Sequence, residues 1–195
     1  MHRPVLVTPP ALLPISVEVI KEQVRIDFAD DDSVIEQAIR AAVAHYEGWT
    51  GILGICLVEQ SWRQDFDRFA HCLPLPLGPV IDIASVSWVN PAEQISIVPK
   101  VDYRLETDGG GRSFVRFRHG FTQPSDLAEV GAVRVEYKAG WPNTGEPVKP
   151  TVPEDICLAI RLRVQLVYDE AARDNAGNIE RIEDMLVAKY RRFSI

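Results

Sequence analysis

The sequence predicts an α+β fold, a helical body of about four helices with a mainly antiparallel β block inserted in its middle. Apolar residues recur at helical spacing near both ends of the chain, whereas the stretch between them alternates with a period of two. Strands and helices nowhere alternate as a parallel sheet requires. The 195 residues suffice for one integrated domain. A chain of that size buries about 70% of its unfolded surface, so the fold needs neither disulfides nor metals.

Residues 1–14 read as an extended N-terminal arm, because Pro9, Pro10 and Pro14 exclude regular helix. An apolar extended end lies against its own fold or against a neighbour. Residues 15–54 hold the N-terminal helices. Ser16 caps a short one with the stripe Val17, Ile20 and Val24, and Glu18 stands in its first turn. Asp31 or Asp32 caps a longer one whose buried side is Ile35, Ala38, Ile39, Ala42 and Tyr46, and Gly48 with Thr50-Gly51 ends it. Residues 18 to 36 contain seven Asp or Glu, which marks a solvated face or one turned to a basic partner.

Residues 55–140 form the β-rich insertion. Val58, Trp62 and Phe66 share one side of a strand, opposite Arg63, Asp65 and Asp67. LPLPLGPV reads as a proline-interrupted connection, leading to a strand with Ile83, Val86 and Trp88. Further strands fall near 95–98, 113–118 and 132–138, the last with Val133, Val135 and Tyr137 on one face. A Gly- and Pro-rich linker covers 141–153. The C-terminal helices occupy 154–190. Ile156, Ile160, Val164, Val167 and Ala171 stripe the first, and Ile179, Ile182, Leu186 and Tyr190 line one side of the second. Residues 191–195 form a basic and apolar tail.

The charge balance, 21 Lys and Arg against 28 Asp and Glu, argues against a general nucleic-acid-coating surface but leaves room for a local basic patch. Cys56, Cys72 and Cys157 are widely spaced and odd in number, as expected of reduced thiols in a cytoplasmic product. Apolar stretches fall well short of the roughly 20 residues that cross a bilayer. Gly109-Gly110-Gly111 precedes a strand and lacks the Lys-Ser/Thr of a phosphate loop, so it reads as a hairpin turn. The acidic run Asp27, Asp30, Asp31, Asp32 and Glu36 lacks calcium-loop spacing. His2, His45, His71 and His119 show no metal-ligand spacing, and no nucleophile elbow or cofactor fingerprint is present. The expectation is therefore a protein that is not an enzyme and uses no metal or cofactor. Trp141, in a loop after the last strand, either closes the core or anchors a neighbour.

Taken in order, these features resemble the head-tail connector, or adaptor, proteins of long-tailed double-stranded DNA bacteriophages and of related particles called gene transfer agents. Asp31-Asp32-Ser33-Val34-Ile35 is similar to the acidic start of that family's second helix, and Trp49-Thr50-Gly51 to its end. Gln60-Ser61-Trp62, the prolines Pro74, Pro76 and Pro79, and Ser85-Val86-Ser87 follow in the family's order. Asp102-Tyr103-Arg104 and Val133 to Trp141 resemble two further motifs, with Trp141 at a usual Tyr. Pro153-Glu154-Asp155-Ile156 and Tyr190-Arg191-Arg192-Phe193 resemble the opening and ending of the helical close. The arm before Pro14 and a lengthened segment from about Phe117 to Val130 depart from the pattern.

The resemblance implies a structural subunit of a virion or gene-transfer particle, made in the host cytoplasm and placed at the head-tail junction. It implies a homo-oligomeric ring of twelve copies between the portal protein and a stopper or tail-completion protein. DNA would pass through the axial channel without sequence-specific binding, and no membrane is involved. The residues expected at protein interfaces are Trp141, Lys189, Arg191, Arg192, Phe193 and Ile195. Of these, the tail from Lys189 to Ile195 either grips the portal or packs on its own last helix. The alternative reading is a cytoplasmic adaptor that binds proteins through the acidic helix pair.

Overall fold

Alternating apolar residues in the middle of the chain require partner strands, and the computed structural model, which describes residues 2–24 and 31–191, supplies them. In chain order the main strands are β1 (Val5–Thr8), β2 (Gln60–Phe66), β3 (Cys72–Leu75), β4 (Val80–Val89), β5 (Ile95–Ile97), β6 (Tyr103–Thr107), β7 (Ser113–Phe117) and β8 (Val133–Ala139). They belong to one of two units, which joins Met1–Ala11 to Glu59–Trp141.

Five of these strands form a sheet in the order β1-β2-β8-β4-β5, antiparallel throughout. Its centre is β8, whose Val133, Val135 and Tyr137 are fully buried. Trp62 stands opposite Tyr137 and Gln64 opposite Val135, so the period-two faces of β2 and β8 coincide. On the other side of β8, Ile83 faces Tyr137 and Val86 faces Val135. Register shifts in β4 between Val80 and Asp82 and between Ile83 and Ser85 interrupt its alternation. The buried residues of β4 are therefore Ile83, Val86 and Val89, with Trp88 only half-buried.

The N-terminal arm pairs with its own chain, as β1 along β2. The remaining three strands form a sheet in the order β3-β7-β6. The LPLPLGPV segment is thus not all connection: its first half is an edge strand in which Pro74 faces Phe114 in register. An edge position tolerates a residue that cannot donate to a ladder. Strand β6, unmarked by strong alternation, is recruited by pairing with β7. The turn between them is held by Asp108, whose Oδ1 accepts from the Gly110 and Arg112 amides at 2.9 Å, with Gly111 at φ 76°. Phe117 and Phe121 stack at 4.7 Å beside Phe69, closing the core of this sheet.

The second unit joins Leu12–Val58 to Pro142–Ile195. It holds α1 (Val17–Val24), α2 (Asp32–Tyr46), α3 (Glu154–Tyr168), α4 (Glu170–Arg173) and α5 (Ala176–Val187). Helix α2 buries Ile35, Ala38, Ile39, Ala42 and Tyr46. Helix α3 answers with Ile156, Cys157, Ala159, Ile160 and Val164, and packs against both α2 and α5. The α3 stripe stops at Tyr168, short of Ala171, and Val167 is exposed. Asp31 sits at the N-cap of α2 without making a side-chain capping bond. Its carboxylate accepts the Tyr168 hydroxyl instead, while Asp32 pairs with Lys21 at 2.7 Å. Asp27 and Asp30 lie outside the described residues.

Beyond α2 the chain turns at Gly48, whose φ is 80° and whose amide donates to the Ile55 carbonyl at 2.7 Å. Trp49, next in the chain, is exposed. Residues expected to form an irregular linker include a two-strand hairpin, Asn143–Thr144 with Lys149–Pro150.

Candidate interface and its buried support

Helix α5 positions the C-terminal residues, and its orientation differs from the one its aliphatic residues suggest. Ile182 is 49% exposed, whereas Glu183 is only 3% exposed and shares the inner face with Val187. The expectation that Ile182 lies inside is therefore corrected. The inner stripe runs Ile179, Glu183, Leu186 and Tyr190, and a carboxylate can occupy it because partners wait there.

Those partners come from α2 and α3. Arg163 Nε donates to Glu183 Oε1 at 2.7 Å, and the Tyr46 hydroxyl donates to the same oxygen. The Arg163 Nη2 group donates to His45 Nε2 at 2.7 Å. An arginine cannot accept, so Nε2 carries no proton and the imidazole is the neutral Nδ1–H form. Burial and the neighbouring guanidinium hold the His45 pKa below its ordinary value. Burial and the bond to Glu183 push the Tyr46 phenol upward. Desolvation opposes charge on Arg163, but its bonds to Tyr46 and Glu183 more than offset this and keep it ionised. The cluster borders an open cavity of about 590 Å³, also lined by Glu180, Asp184 and Arg191.

This arrangement stitches three helices and offers no nucleophile with a base. The Tyr46 hydroxyl already donates its hydrogen bond to a carboxylate, and the histidine of the cluster accepts from an arginine. Cys157 is buried, and desolvation raises its thiol to about 11, which leaves it a poor thiolate. Among the described residues, no three His, Cys, Asp or Glu are placed to hold a metal ion. Among the same residues, no helix is long and apolar enough to cross a membrane.

The residues expected at interfaces are distributed between the two units. Trp141 is half-buried, at the end of the first unit. In the second unit, the turn following α5 fixes Lys189 and Arg191. Lys189 pairs with Asp155 in the first turn of α3 at 2.5 Å and lies 5.1 Å from the Tyr190 ring. Arg191 pairs with Asp184 at 2.6 Å. Arg192, Phe193 and Ile195 lie outside the described residues. The buried cluster escapes a reading of motifs, because Tyr46 and Glu183 are 137 positions apart and each looks ordinary in its own helix.

The fold is of a kind found in the necks of gene-transfer particles. A chain in the neck of an empty GTA particle superposes with a TM-score of 0.77 at 21% identity, over 100% of this chain and 97% of that one. Chains in the virion of a native gene transfer agent particle and in a native GTA neck match over the same shares at 20% identity, with TM-scores of 0.76 and 0.73. No protein-family model matches the chain, and no curated protein matches it significantly.

Proposed function

We propose that this chain is a structural head-tail connector subunit, located at the head-tail junction of a virion or gene-transfer particle. Copies form a ring between the portal protein and the stopper or tail-completion protein, around an axial channel for DNA. The observation that carries this reading is the end-to-end likeness to a neck chain, over 100% of this chain and 97% of the other. A partial likeness would fit any shared submodule, whereas this one spans both units, and the reading is a fold-level analogy over the whole chain.

Twelve copies is the proposed number; of the matched necks one was computed with C12 symmetry and one with C6, and twelve copies are compatible with both. The net charge of -7 suits a channel wall along which phosphates slide. The side chains serve as scaffold and carry out no catalysis, in keeping with a buried cluster whose polar groups bond to one another. Trp141 and the tail containing Lys189, Arg191, Arg192, Phe193 and Ile195 are proposed as contacts, the tail toward the portal. The Lys189–Asp155 and Arg191–Asp184 pairs tether the base of that tail.

The test is cryo-electron microscopy of particles made in cells that express the chain with an affinity tag. Density for the fold on the particle axis, between head and tail, is the expected result. Particles that lack the chain, or carry it off the axis, overturn the reading.

A further inference from the structure

The small sheet of the first unit carries an excess of positive charge that its own residues do not neutralise. Arg104 of β6 and Arg116 of β7 are directly opposite one another in register. Like charges so placed are destabilising, and Glu106 relieves them by accepting from both. Arg116 is further engaged, donating to His71 Nε2 at 3.0 Å and lying 5.3 Å from the Phe114 ring. Arg118 is exposed, and its side chain has no ion-pair partner among the described residues. Together with Phe117 and His119 these groups line a cavity of about 440 Å³. Three guanidiniums against Glu106 and Asp102, whose carbonyl accepts from the Arg118 amide at 2.8 Å, still leave it cationic, on a chain whose net charge is -7.

The second unit carries the converse. Glu18 and Glu22 are four residues apart on α1 and both exposed, so they form a like-charge pair on one helix face. Neither has an ion-pair partner among the described residues. Burial does not restrain them, and the Glu18 carboxyl is held below its usual range, chiefly by its hydrogen bond from Ser16. By contrast, Asp32 is paired with Lys21 and Glu36 with Arg40.

We propose that the Arg104–Arg118 cavity receives the Glu18 and Glu22 carboxylates of a second copy of this chain. Guanidinium forks can take carboxylates bidentately, and Glu106 bridges Arg104 and Arg116 with a single oxygen to each, which leaves further N–H groups of both open to a second carboxylate. Seven net negative charges per copy repel neighbours unless a positive patch meets a negative one. The two patches are different surfaces, so the contact is head-to-tail, the kind that a closed ring repeats. The inference rests on the ring reading for that closure; the pairing itself is tested without the particle.

Sedimentation of the full chain at low salt reads the pairing. Wild-type chain is expected to self-associate. Arg104→Glu with Arg118→Glu, or Glu18→Arg with Glu22→Arg, is expected to weaken association about tenfold or more. All four substitutions together restore it. The positions are exposed, and Arg118→Ser serves as a milder variant if a reversal fails to fold. A wild-type chain that stays monomeric, reversals without effect, or a four-site variant that fails to recover overturns the proposal. So does retention of duplex DNA by wild type that is lost in the arginine variant while association is unchanged, since the cavity is then a phosphate site. Charge-swap rescue in a chain found off the particle axis removes the connector reading alone. An on-axis chain with neutral reversals removes this pairing alone.

Discussion

Glu183 shows how one residue sets the tolerance of the helical unit to substitution. Its carboxylate is almost wholly buried and holds Arg163 and Tyr46 at one oxygen. Glu183→Ala leaves a guanidinium and a phenol without their acceptor, and the expected loss is about 2–4 kcal/mol in chemical denaturation. Partial exposure of Arg163 keeps the figure below that of a fully buried broken pair. Glu183→Gln keeps an acceptor and is expected to lose about half as much. Equal, negligible losses in both variants would assign Arg163 to solvent.

His45 gives the same cluster a pH dependence of definite sign. Its folded pKa lies below the unfolded value near 6.5, so between those two values the unfolded chain binds the extra proton. Stability contributed by the neutral imidazole is complete above pH 6.5 and falls as pH drops through the window beneath it. Carboxylates held low, such as Glu106 and Asp108, contribute in a separate and more acidic window, below their ordinary values near 4. Melting temperature is therefore expected to decline from pH 7 to pH 5.5. The slope flattens in His45→Gln, whose carbonyl still accepts from Arg163. A His45→Gln profile parallel to wild type counts against the assignment.

At the scale of elements, the N-terminal arm is the sharpest test of how the larger sheet is protected. Strand β1 covers the outer edge of β2, and the His2 carbonyl accepts from the buried Gln64 amide at 2.7 Å. Removing residues 1–8 uncovers that edge and takes away the acceptor. The expected result is a loss of about 1–3 kcal/mol and concentration-dependent aggregation in light scattering. A truncated protein as stable and monodisperse as the full chain would show that β2 needs no cover. The arm was legible as extended chain from its prolines, but its partner was not, since strand pairing is a relation between distant segments. The α2 stripe and the alternation of β2, β7 and β8 were legible because each repeats a period within one segment. Strand β6 and the true inner face of α5 were not: the one is recruited by its neighbour β7, and the other is fixed by Arg163 and Tyr46. The capping role of Asp31 was misplaced for a similar reason, because Tyr168 competes for its carboxylate. Of the residues proposed as contacts, the sequence displayed the cations at the chain end but not the carboxylates, Asp155 and Asp184, that pair with two of them.

At the scale of the whole molecule, the tail decides whether the helical unit ends as a fold or as a grip on a partner. The Arg191–Asp184 pair is solvent-exposed, and such a pair contributes about 0–1 kcal/mol. Lys189 and Tyr190 precede the cut and keep the tie to Asp155. Deleting residues 191–195 is therefore expected to leave helical circular dichroism unchanged and to lower the melting temperature by no more than a few degrees. On the connector reading, the same deletion removes two arginines able to clasp carboxylates bidentately, and Phe193 and Ile195 able to fill an apolar groove. Attachment to DNA-filled heads, measured as the tagged chain recovered per purified head, is expected to be lost. Recovery at the wild-type level defeats the portal assignment for the tail. Collapse of the fold on deletion instead places the tail's apolar residues on its own helices, and moves the portal contact to another surface.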